Sequence, residues 1–231
     1  MGKIMVDDLT SSIDALTVMH QLVAKLFRYP PDKELIEYFK GIDMEDEGDV
    51  FFKNEECLAG IALMSSFCRD LEMEEAIRRA EGDQNRLFVG PLHLPSPPWS
   101  SVYMDRGALF GPTALAVEKE FKRFGFWIPE GNHEPCDHIA YEIQFVAELN
   151  KIVAENLRQA NETEGFKYLN EAKSFIDTYL SPWLGGFLGL VEKHAETDFY
   201  RGLARLTCGL VRLESGFLDD ITHQEAGDIL K

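Results

Sequence analysis

The chain has 231 residues, 45% of them apolar and 11% aromatic, which is enough for one sizeable folded domain and outside the composition of disordered chains. Its formal charge of -17 makes a field that repels polyphosphate and anionic lipid, so nucleic acid is not expected as a ligand and cationic partners are favoured.

The N-terminal stretch carries aspartates and hydroxyls where an export signal needs a continuous apolar run, so none is expected. From Ile13 to Phe27 apolar residues recur at Ile13, Leu16, Met19 or His20, Val23 and Phe27, the three-and-four spacing of one buried helical face. Tyr29-Pro30-Pro31 stops that helix, and a short one is predicted over Asp32 to Phe39 with Asp32 accepting from its first amides. Residues 41–49, acidic and glycine-bounded, read as a mobile loop. Between Val50 and Ala80 the helical pattern returns through Leu58, Ile61, Met64, Phe67 and Leu71. It runs out in the charged stretch EMEEAIRRAEGD, where Glu74 and Arg78 stand four apart as a favourable pair.

A short apolar turn, Asn85 to Val89, leads into GPLHLPSPPWSSVYMD, whose prolines forbid a regular helix but whose aromatics predict an ordered loop. Helix resumes at Pro112 and ends at Gly125. After a second loop, Trp127 to Pro135, Asp137 is placed as the cap of the clearest helix, with Ile139, Ile143, Val146, Leu149, Val153 and Leu157 on one face. Further helices are predicted over Gly165 to Leu180, stopped by Ser181-Pro182, over Trp183 to Glu196, and over Asp198 to Leu213. No run alternates like a strand and none is long enough to span a bilayer. The expected fold is all-α, a single compact multi-helix domain over residues 1–214. An acidic extension, 215–231, follows, anchored by Phe217, Leu218, Ile221 and Ile229 or Leu230.

The four cysteines, Cys57, Cys68, Cys136 and Cys208, are widely spaced with no C-x-x-C, which fits reduced thiols in a cytoplasm. His133, Cys136 and His138, with His93, match no common zinc spacing, so no metal and no other cofactor is expected. There is no nucleophile elbow and no phosphate-cradling glycine loop. Two irregular segments hold the unusual residues. One runs from Leu87-Phe88-Val89-Gly90-Pro91 through Pro97-Pro98-Trp99-Ser100-Ser101-Val102-Tyr103, and the other is Glu134-Pro135-Cys136-Asp137-His138. A proline pair ending in an aromatic is either pinned by its neighbours, with Trp99 filling core, or presents a rigid face to a ligand. Asp137 and His138 read either as a helix cap beside a half-buried imidazole or as an acid-base pair.

Four phrases in order, LFVGP at 87–91, PSPPWSSVYMD at 95–105, LFGPT at 109–113 and EPCDHIAYEIQFVAEL at 134–149, resemble the TorD/DmsD family of redox-enzyme maturation chaperones. FYRGLARLTCGLV at 199–211 is similar to that family's last core helix. The resemblance implies a helical domain without catalysis, which works in the cytoplasm. Its partners would be the twin-arginine signal peptide and the immature apoprotein of a molybdopterin-dependent reductase or dehydrogenase. It implies peptide contacts at Leu87, Phe88, Pro98, Trp99, Ser100, Tyr103, Gly111, Glu134, Asp137 and His138. A receptor for an arginine pair joined to an apolar stretch needs carboxylates beside aromatic surface, which Glu134, Asp137 and Trp99 supply. The chain departs from the family pattern at Gln84, where an aromatic is frequent, and at Ser100, where glycine is usual. The competing class is a small helical enzyme or nucleotide-binding protein using Asp137 and His138. Helical domains with long connections can also exchange segments, which leaves a homodimer open.

Overall fold

A computed structural model describes residues 3–43, 54–90, 93–128 and 134–229, with side chains given from residue 6 to residue 221. The acidic loop at 44–49, Pro91, His133 and Leu230 lie outside the described residues. Among those described there are ten α-helices and no strand: α1 (Lys3–Arg28), α2 (Lys33–Gly41), α3 (Glu55–Asp70), α4 (Met73–Gln84), α5 (Ser100–Met104), α6 (Pro112–Arg123), α7 (Ile139–Arg158), α8 (Glu162–Phe175), α9 (Ser181–His194) and α10 (Asp198–Ile229).

Two long pairings organise the core: α1 lies along α7, and α3 lies along α10. The α1 face predicted from spacing is buried, with Ile13, Leu16, His20, Val23 and Phe27 inside and Met19 only partly so. In the other pairing the two backbones touch. A Cβ added at Gly60 would lie 2.5 Å from the Leu206 amide nitrogen, and one added at Gly202 would lie 2.5 Å from the Gly60 carbonyl. Only glycine permits that approach.

Three fully buried polar side chains join α1, α7 and α10: Glu214 accepts from Asn150 at 2.8 Å and pairs with His20 Nε2 at 2.9 Å. Burial alone would lower the His20 pKa, but the Glu214 charge and hydrogen bond outweigh it and raise the imidazole above its ordinary value. Asp32 caps α2 as predicted, accepting from the Leu35 amide at 2.9 Å.

Several local expectations are corrected. The charged stretch EMEEAIRRAEGD does not end a helix but forms one, α4, which buries Ala76, Ala80, Asp83 and Gln84. Arg78 pairs with Glu75 instead of Glu74, at 2.7 Å, and Arg79 reaches the same carboxylate. Asn85–Val89 is a π-helical turn continuous with α4. Ser181-Pro182 does not stop α8. The chain widens into a second π turn, Ile176–Leu180, and enters α9 with its proline in the first turn, where no amide donor is needed. Finally, α10 does not end at Leu213 but continues to Ile229, and Leu218 and Ile221 pack into the core.

Candidate functional site

The two irregular segments meet. Trp99 and His138 form an isolated antiparallel bridge, in which Ser100 N donates to the Asp137 carbonyl at 3.0 Å and Ile139 N donates to the Pro98 carbonyl at 2.8 Å. Each segment therefore supplies acceptors for the helix start of the other. The Asp137 carboxylate, fully buried, accepts from Ser101 N at 2.7 Å and from Ser100 Oγ at 3.3 Å, both at the start of α5. His138 is the N-cap of α7, its Nδ1 accepting from Ala140 N at 3.1 Å. The expectation that Asp137 caps the helix beginning at Ile139 is thus corrected: it caps the neighbouring helix, because the bridge turns its side chain across to α5. The prolines are pinned and not presented. Pro98 is buried, and the Pro97 carbonyl accepts from the Tyr103 hydroxyl at 2.8 Å.

On the outer side of this bridge Trp99 Nε1 donates to the exposed Glu134 carboxylate at 3.1 Å. The indole stands edge-on to the His138 ring, whose other neighbour is Tyr141. The Arg28 guanidinium lies 4.7 Å from the Tyr141 ring centre and 5.3 Å from that of Tyr29. Glu134, His138, Phe88, Gln84, Arg28 and Tyr141 are among the walls of a cleft of about 260 Å³. Burial first, and the Arg28 charge second, push the His138 pKa down to about 3, so the imidazole is neutral and carries its proton on Nε2 while Nδ1 accepts.

Behind Trp99 the support is polar and dry. Glu142, fully buried, accepts from Trp183 Nε1 at 3.0 Å, and Tyr103 packs on the Trp183 ring at 5.3 Å. Burial pushes the Glu142 carboxyl well above its ordinary range, against hydrogen bonds from Ser100 and Trp183, and the Asp137 charge adds to the rise.

The predicted residues thus separate. Trp99, Glu134, His138 and Phe88 share the cleft or its rim. Pro98, Ser100 and Asp137 hold the bridge from beneath, and Tyr103 braces it. Leu87 is core, and Gly111 begins α6, where Asp105 accepts from Thr113 N at 2.8 Å; neither lines the cleft. Asp137 and His138 are not an acid-base pair, since each is engaged by a different helix start. Cys136 donates to the Ala114 carbonyl, and burial pushes its thiol up to about 12. No cluster among the described residues is arranged to hold a metal ion. Sequence reasoning missed Arg28 and Tyr141. Arg28, the last residue of α1 before an aromatic and two prolines, carried a weak signal as a charge at a helix end.

A family model described as the nitrate reductase delta subunit matches residues 54–189, more than half of the chain. A Tat proofreading chaperone DmsD of Salmonella paratyphi A is 30% identical over 84% of this chain and 85% of its own length. The chain belongs to the TorD/DmsD chaperone family. A chaperone protein TorD of Vibrio parahaemolyticus is 28% identical over 68% of this chain and 72% of its own length. These TorD/DmsD relatives are named as chaperones and not as enzymes, and no described helix here is long and apolar enough to cross a membrane.

Proposed function

We propose that this protein is a cytoplasmic chaperone for the maturation of a molybdopterin-dependent oxidoreductase. It holds the enzyme's twin-arginine signal peptide, and the immature apoprotein behind it, until the cofactor is in place and export can begin. The observation that carries this reading is the cleft at the Trp99–His138 bridge, where an exposed carboxylate stands beside aromatic surface. Family membership supports it, since relatives are named for Tat proofreading. A carboxylate offers about four acceptor positions, so Glu134 can hold the Trp99 N–H and still take guanidinium donors. Asp137 contributes from beneath, by fixing the loop that carries Trp99, and not by touching the arginines.

Isothermal titration of twin-arginine leader peptides tests the reading. Glu134→Gln is expected to weaken binding about tenfold, the scale of one charge-assisted hydrogen bond. Wild-type protein that ignores every leader but binds leaderless apoprotein would show that the client is gripped by its body instead.

A further inference from the structure

A second cleft, of about 360 Å³, adjoins the first, and Arg28, Tyr29 and Tyr141 line both. Together they form one trough between the end of α1 and the start of α7. Its far end is walled by Phe126, Trp127 and Ile128, with Trp127 69% exposed. Charge is distributed unevenly along it. Among the described lining residues Glu134 is the one carboxylate and stands at the first end, while Lys25 lines the second cleft and Arg28 both. Both cations are held in place, Lys25 by Asp32 at 2.9 Å and Arg28 over the two tyrosine rings.

Resting on the leader reading above, we infer that the peptide occupies this trough in one direction: its arginine pair at Glu134, and the apolar run that follows over Tyr29, Tyr141 and Trp127. The reverse direction would bring two guanidinium groups to an end where Lys25 is already paired with Asp32 and no carboxylate is among the described lining, and would leave Glu134 facing an uncharged run. In the inferred direction the uncharged run covers the exposed rings of Tyr29 and Trp127 and excludes water from them. If the run is helical, its last carbonyls lack partners of their own and carry the negative end of the helix dipole. Lys25 and Arg28 are the donors placed to meet them.

The test uses the whole protein and a synthetic peptide carrying an arginine pair followed by a run of leucine and alanine, titrated at low and high salt. Trp127 is exposed, so Trp127→Ala keeps the fold. It is expected to weaken binding roughly tenfold, by nearly the same factor at both salts, because the loss is buried area. The loss from Glu134→Gln is expected to shrink at high salt. A photoreactive phenylalanine at the end of the apolar run should crosslink to residues 126–128, and one placed before the arginine pair should crosslink beside Trp99. Unchanged affinity in Trp127→Ala, or crosslinks in the opposite order, would overturn the direction and leave the leader reading standing. A wild-type protein that binds no twin-arginine peptide would overturn both.

Discussion

Asp137 sits at zero exposure and accepts from the Ser101 amide, so removing it strands that donor in the core beneath Trp99. Asp137→Ala is expected to cost about 2 kcal/mol of stability in chemical denaturation, and to shift the Trp99 fluorescence as the loop loosens. His138 and Glu142 set opposite pH limits. The folded His138 value of about 3 lies below the ordinary 6.5, so the unfolded chain binds a proton that the fold refuses, and stability falls as pH drops between those values. Glu142 is raised in the fold, so its contribution is present below the ordinary 4.5 and is lost as pH rises toward the folded value. Glu142→Gln keeps an acceptor for Trp183 without a charge to bury. Its stability relative to wild type should grow as pH rises above the ordinary carboxylate value, and a constant difference would show that Glu142 is not raised in the fold. The meeting of the two segments was legible from their odd composition and from the family phrases. The roles of Asp137 and His138 were not, because adjacent residues in an extended bridge point to opposite sides, one to α5 and one to its own helix.

At the scale of elements, α3 and α10 are joined by absence of side chain, and the fit has no slack. Gly202→Ala is expected to destabilise by about 1 to 3 kcal/mol through overpacking. Gly185→Ala on α9, where an added Cβ meets nothing within 4 Å, should instead stabilise by roughly 0.5 to 1 kcal/mol. Equal effects in a denaturation series would mean that the close approach of α3 and α10 is not what glycine serves. Spacing revealed α1 and α7 because large apolar residues mark their buried faces, while α6 was marked by Pro112 at its start and Gly125 beyond its end. It failed at α4, whose fully buried residues are two alanines and two polar residues and whose larger apolar ones, Met73 and Ile77, are only partly buried and stand among charges, so the period is faint. It failed at Pro182 because a π turn ahead of the proline carries the chain on where the usual ring clash would end a helix. The glycines of α10 carried no signal, since a glycine in a helix looks like a weakness until its neighbour is known.

For the whole molecule, the charge of -17 predicts that a cationic leader associates faster at low ionic strength, with Trp127→Ala altering dissociation more than association. Stopped-flow association across a salt series measures this, and a salt-independent rate would contradict it. A chain cut before Asp198 would lose the Gly60 fit and the partner of His20 together. Circular dichroism should then show helix without a cooperative thermal transition.

The pairing of α3 with α10 joins positions far apart in the sequence; Cys57 donates to the carbonyl of Leu206, 149 positions later. On a ribosome the groove of α3 is therefore made early and filled late, and contacts of such separation form slowly. Until α10 leaves the exit tunnel, this protein shows the same uncovered apolar surface that it is proposed to shelter in others, and its own synthesis is the time when it most needs a holder.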